Sequence, residues 1–216
     1  MSKVLIVFAL AAFLPASAEA RGFAAGPATA GSGATAHSSD SRTLELAQDA
    51  TTETPAQNLD SPLPRIIRDP TTLPAPVQET RRQLMEAANS GDLEELRVLM
   101  QAQPEMPAVS FGDPGDPIDY LKALSSDAEG REILAILLEV LESGFVQVEP
   151  ATEEELFVWP YFAQYPLEAL TPTQLVELFT LLTAADYEDM KSYGAYTFFR
   201  VGIAPDGRWL FFLAGD

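Results

Sequence analysis

Residues 196–213 read Tyr-Thr-Phe-Phe-Arg-Val-Gly-Ile-Ala-Pro-Asp-Gly-Arg-Trp-Leu-Phe-Phe-Leu. Two runs, Tyr196 to Ile203 and Arg208 to Leu213, are rich in aromatic and β-branched side chains, the composition of a pleated, half-buried surface. Between them Ala204-Pro205-Asp206-Gly207 places proline at the second position of a turn and a glycine where positive φ is needed. The stretch predicts an antiparallel β-hairpin.

The residues upstream read mostly as helices. Val77 to Ala88 carries Val77, Leu84, Met85 and Ala88 at helical spacing, and Asn89-Ser90-Gly91 breaks it. Asp92 to Met100 predicts a second helix, so Ala88 to Leu96 marks a tight helical hairpin. Met106 to Phe111 is a candidate short strand. Asp116 is a predicted N-cap with Pro117 at N1, for a helix through Leu124. Ser126-Asp127-Ala128-Glu129 has the pattern of a capping box opening a helix to Ser143, closed by Gly144. The apolar residues of that helix, Ile133 to Leu141, cover nearly every side and predict a central, buried element.

Phe145 to Val148 alternates like a strand, and Glu155 to Trp159 is its expected partner. Thr171-Pro172-Thr173-Gln174 is a second capping box, and its helix carries Leu175, Leu178, Phe179 and Leu182 on one face. A shorter helix, Asp186 to Tyr193, ends at Gly194. The expected fold class is α+β, with helices packed on a small antiparallel sheet that ends in the C-terminal aromatic hairpin. Tyr193 to Tyr196 and the hairpin aromatics are expected on one sheet face.

Residues 1–20 have the pattern of a secretory signal. Lys3 is followed by an apolar run from Val4 to Leu14, then Pro15 and the small-x-small motif Ala18-Glu19-Ala20. That run is too short to span a bilayer, and no later stretch reaches the length of a membrane helix. Residues 21–75, dominated by Ala, Gly, Ser, Thr and Pro, are expected to be a disordered linker. Within them Leu63-Pro64-Arg65-Ile66-Ile67 is apolar enough to dock on the domain. Residues 76–216 are the expected single folded domain. The localisation this implies is periplasmic or secreted.

Composition narrows the chemistry. The 216-residue chain has no cysteine, and its one histidine, His37, precedes the expected domain. Thiol and imidazole mechanisms, disulfides and nitrogen or sulfur metal ligation are therefore not expected in the domain. The formal charge is −19, with 8 basic and 25 acidic side chains in residues 76–216. Such a surface repels phosphate backbones and anionic headgroups, so no nucleic acid partner is expected. It tolerates cationic partners.

The run Val158-Trp159-Pro160-Tyr161-Phe162-Ala163-Gln164-Tyr165-Pro166 supplies the candidate ligand-binding residues Trp159, Tyr161 and Tyr165. Aromatic faces stack on sugar rings and proline-rich peptides. The same rings could instead close the core. If the segment is extended, alternation puts Trp159 and Tyr161 on one side and Phe162 on the other. Asp113, Asp116 and Asp119 offer oxygen ligands, but without calcium-loop spacing, and helix capping accounts for them; no metal or cofactor is expected. Paired carboxylates could run glycoside hydrolysis.

Glu132-Ile133-Leu134, Trp159-Pro160-Tyr161-Phe162-Ala163, Leu170-Thr171-Pro172, Asp186-Tyr187-Glu188-Asp189-Met190 and Gly202 to Trp209 together resemble a group of uncharacterised exported proteins of alphaproteobacteria. The resemblance covers residues 63–216. It implies export, a bacterial source and one α+β domain, and carries over no catalytic residue. The order of elements is also loosely similar to the cone-shaped nuclear-transport-factor-like fold, the alternative architecture. The expected function is a non-enzymatic exported module that binds a protein, peptide or glycan partner in the envelope. The alternatives are a carboxylate-type glycan hydrolase and a structural envelope accessory protein.

Overall fold

The computed structural model describes residues 62–215. The signal-like segment and residues 21–61 of the expected linker lie outside them. Among the described residues six α-helices and four strands follow in order: α1 (Ala75–Ser90), α2 (Glu94–Gln101), α3 (Pro117–Leu124), α4 (Arg131–Glu142), β1 (Val146–Val148), β2 (Leu156–Trp159), α5 (Pro172–Leu178), α6 (Ala184–Tyr193), β3 (Arg200–Ile203) and β4 (Trp209–Leu213). The class is α+β.

The sheet is an antiparallel meander in the order β1-β2-β3-β4. Val146 faces Val158, Phe157 faces Ile203 and Val201 faces Phe212. Its C-terminal half is the expected hairpin. The turn closes with Gly207 N–H donating to Ala204 O at 2.9 Å, and Gly207 takes φ 90°. With strands of three to five residues, the sheet lacks the long curved surface that the nuclear-transport-factor-like alternative requires.

Side chains alternate across this sheet and divide the core in two. Phe157, Trp159, Val201, Ile203 and Phe212 join α1 to α4 in one cluster. Val158, Phe211 and Leu213 face the other way, with Tyr161, Phe162, Leu178 and Met190. The hairpin aromatics are thus split between two faces, contrary to the single face expected. A strand feeding two layers must send successive residues to opposite sides.

Three of the six described helices start at a side-chain cap. Asp116 accepts from the N–H groups of Ile118 and Asp119, both at 3.0 Å, and caps α3. Thr171 and Thr183 each complete a reciprocal capping box. The expected box at Ser126 does not form. Instead Gly130 is the N-cap of α4, at φ 77°. The Asp127 carboxylate reaches forward to the N–H groups of Arg131 and Glu132, and Glu132 reaches back to Ser126 N–H. A longer loop uses the same donors and acceptors and starts the helix later. One side of α4, at Ala135, Glu139 and Glu142, is exposed, so the helix is central without being enclosed all round.

Two further expectations are corrected. Met106 to Phe111 contributes only a parallel bridge, Ala108 to Phe211. Pro104 and Pro107 both precede Ala108, and proline donates no ladder hydrogen bond. The packed domain also starts before residue 76. Ile67 and Phe145 exchange two backbone hydrogen bonds of 2.8 Å, and Leu73 is buried at 4% exposure. Residues 62–74 therefore form a strap on the domain, with Leu73 and Ile67 supplying the apolar anchors that a linker lacks.

Candidate functional site

The aromatic run leaves the sheet at the end of β2. Trp159 is the last strand residue, a cis peptide bond joins it to Pro160, and Tyr161–Gln164 turn as a 3-10 helix. This turn breaks the alternation expected for an extended segment. Trp159 faces the α1–α4 cluster, with its ring 4.9 Å from that of Phe145, while Tyr161 and Phe162 both enter the opposite cluster. Trp159 is fully buried. Tyr165 is half-buried, edge-on to Tyr161 at 5.9 Å. Of the three sequence candidates, Tyr161 alone lines the cleft at the end of α4.

That cleft has a volume of about 440 Å³. It lies among the C-terminal turn of α4, the Tyr161 turn, α5 and the strap. Gly144, just beyond α4, forms part of its wall. The Gly144 carbonyl accepts from Tyr161 N–H at 2.8 Å, and a Cβ on Gly144 would sit 3.1 Å from the Tyr161 ring. The absence of a side chain at residue 144 lets Tyr161 approach the end of α4.

Three carboxylates and one guanidinium give the cleft its charge: Glu139 and Glu142 of α4, Glu177 of α5, and Arg68 of the strap. The Tyr161 hydroxyl donates to Glu177 Oε2 at 2.9 Å. Arg68 Nη2 donates to both Glu177 oxygens, each at 2.9 Å. The Arg68 guanidinium also lies over the Tyr161 ring, 5.6 Å from its centre. Burial, then the bond to Glu177, pushes Tyr161 ionisation well above the ordinary tyrosine range, so the phenol is a hydrogen-bond donor here and not a base.

The opposite wall is less satisfied. Among the described residues the Glu139 carboxylate has no hydrogen-bond or ion-pair partner, and Glu142 has only a longer-range attraction to Arg81. Arg81 spends its Nε and Nη2 on the Leu141 carbonyl, at 3.0 and 2.8 Å. Both glutamates sit in the last turn of α4, where the helix dipole adds further negative potential. The cleft therefore suits a cation that can also stack on or donate to its walls.

Among the described residues no group of three or more carboxylates or imidazoles is close enough to hold a metal ion. Asp116, the centre of the aspartate loop, is engaged by Arg97 as well as by its cap amides. No described helix is long and apolar enough to cross a membrane.

Sequence reasoning missed Arg68, Glu139, Glu142 and Glu177. Glu139 and Glu142 had a visible signal, being the charged positions late in an otherwise apolar helix. Arg68 had none, since its place depends on where the strap docks. No protein-family model, curated protein or solved structure matches the chain.

Proposed function

We propose that the chain is an exported, non-enzymatic binding module whose cleft at Tyr161 and Glu177 takes an organic cation, such as a basic side chain of an envelope protein or peptide. The observation that carries this reading is the charge imbalance of the cleft: three carboxylates against one guanidinium, with Glu139 and Glu142 lacking a hydrogen-bond or ion-pair partner among the described residues and Arg81 acting on Glu142 only at longer range. An exposed carboxylate is well solvated by itself, but two beside a helix C-terminus and an aromatic wall raise the local concentration of a cation. The scattered placement of these carboxylates favours an organic cation over a metal ion. Export rests on the N-terminal pattern and on the resemblance to exported alphaproteobacterial proteins.

The carboxylate-type glycan hydrolase is the second reading, because three glutamates line one cleft. It needs a carboxyl that donates a proton to a leaving group. Glu177 is already committed as an acceptor on both oxygens.

A thermal-shift comparison of the full chain tests the two. A ligand of the native state raises its melting temperature. Arginine amide is expected to raise it, and calcium and cell-wall glycan fragments are not. A shift with glycan fragments alone would overturn the cation reading in favour of the hydrolase. No shift with any of them would point to a structural role.

A further inference from the structure

We propose that Arg68 is an internal occupant of the cleft, and that a guanidinium-bearing ligand binds by taking its place on Glu177 and Tyr161. This rests on the cation reading above. Arg68 shows how the site handles a guanidinium: both Glu177 oxygens accept from it at 2.9 Å, and the Tyr161 face lies 5.6 Å from it. A carboxylate combined with an aromatic face is the chemistry that distinguishes a planar guanidinium from a compact ammonium.

The occupant is exchangeable. The side chains of Arg68 and Glu177 are 54% and 37% exposed, and an ion pair that wet contributes little. The strap does not depend on it. Ile67 is fixed by its paired bonds to Phe145, and Leu73 is buried. The arginine can leave Glu177 while the backbone that carries it stays docked. Tyr161 has no exposed surface and the Arg68 guanidinium lies over its ring, so a ligand reaches that position only by displacing Arg68. The cleft beside Arg68 has room for the incoming group, and Glu139 and Glu142 attract it there first.

The guanidinium could come from free arginine or from an arginine within a peptide. The test is isothermal titration of the full chain with arginine amide and, in parallel, with the tripeptide Gly-Arg-Gly. Wild type is compared with Arg68→Ala, Arg68→Met and Arg68→Ala/Glu177→Gln. Arg68→Ala is expected to bind roughly fivefold tighter than wild type, the scale of releasing one exposed ion pair. Adding Glu177→Gln should cancel that gain. Supporting titrations in which the tripeptide binds tighter than the amide identify a peptide ligand, and equal affinities identify the free guanidinium compound. If Arg68→Ala does not hold its fold, Arg68→Met carries the same comparison, because it releases Glu177 from its ion pair and leaves an uncharged, flexible stem that nothing holds over Tyr161. Unchanged or weaker binding by the folded single variants at Arg68 overturns the internal occupant and leaves the cation site standing. No saturable binding by wild type or by either single variant at Arg68 overturns both.

Discussion

Tyr161 and Glu177 are joined by a phenol-to-carboxylate hydrogen bond of 2.9 Å that ties the turn after β2 to α5. The bond brings a residue of the aromatic run, otherwise given over to packing, to the wall of an acidic cleft. Tyr161→Phe should keep the fold and lose about 1 kcal/mol of stability, the usual scale of one hydrogen bond. It should also change the alkaline limb of the stability curve. Tyr161 ionises at higher pH when folded than when unfolded, so its contribution is complete below about pH 10 and declines as pH rises beyond it. The wild-type advantage over Tyr161→Phe should narrow above that pH in denaturant titrations. An advantage that grows with pH would contradict the assignment.

Trp159 makes the opposite forecast. It is fully buried against Phe145 in the α1–α4 cluster and is not among the residues that line the cleft. Trp159→Ala should cost about 3–5 kcal/mol. The milder Trp159→Phe should leave cation binding unchanged wherever it folds. Loss of binding in a folded Trp159→Phe chain would place the ring in the site after all.

Leu137 lies at the centre of α4 with no exposed surface. Leu137→Ala should cost about 2–5 kcal/mol, because the void forms where α1, α4 and the sheet meet and cannot collapse freely. A urea midpoint indistinguishable from wild type would show that α4 is peripheral.

The α+β class, the hairpin and most caps were legible because they depend on local chemistry. Asp116-Pro117, Thr171-Pro172 and Pro205-Asp206-Gly207 each act within one turn of chain. The start of α4 was misplaced because Asp127 caps from outside the helix, across Gly130, and the same donors fit either arrangement. The cleft was not legible. Arg68 and Glu177 are 109 residues apart, and nothing in either neighbourhood announces the other. The aromatic run was conspicuous by composition, but composition cannot show that the turn at Pro160 sends Trp159 and Tyr161 to different sides.

Asp127 gives the acid-side prediction. Its carboxylate accepts from the Glu132, Arg131 and Glu129 amides and from the Ser125 hydroxyl, and these bonds hold its ionisation well below the usual carboxylate range. The folded state thus favours the ionised form. The stabilisation is present above about pH 4, the ordinary aspartate range, and is lost as pH falls below it. Asp127→Asn should melt at a lower temperature than wild type at neutral pH, and the gap should close toward pH 2. A gap that is constant from pH 7 to pH 2 would mean that the charge does not matter to the cap.

The central claim is that the cleft binds an organic cation through its carboxylates. The most direct measurement is isothermal titration of the full chain with arginine amide, comparing wild type with Glu139→Gln/Glu142→Gln. Both side chains are exposed, so the double variant should keep the fold. Saturable binding is expected in wild type. It should be weaker by at least roughly fivefold in the double variant, and weaker again at high salt, as exposed charges are screened. Equal affinity in the two proteins, or no saturable binding in wild type, would contradict it.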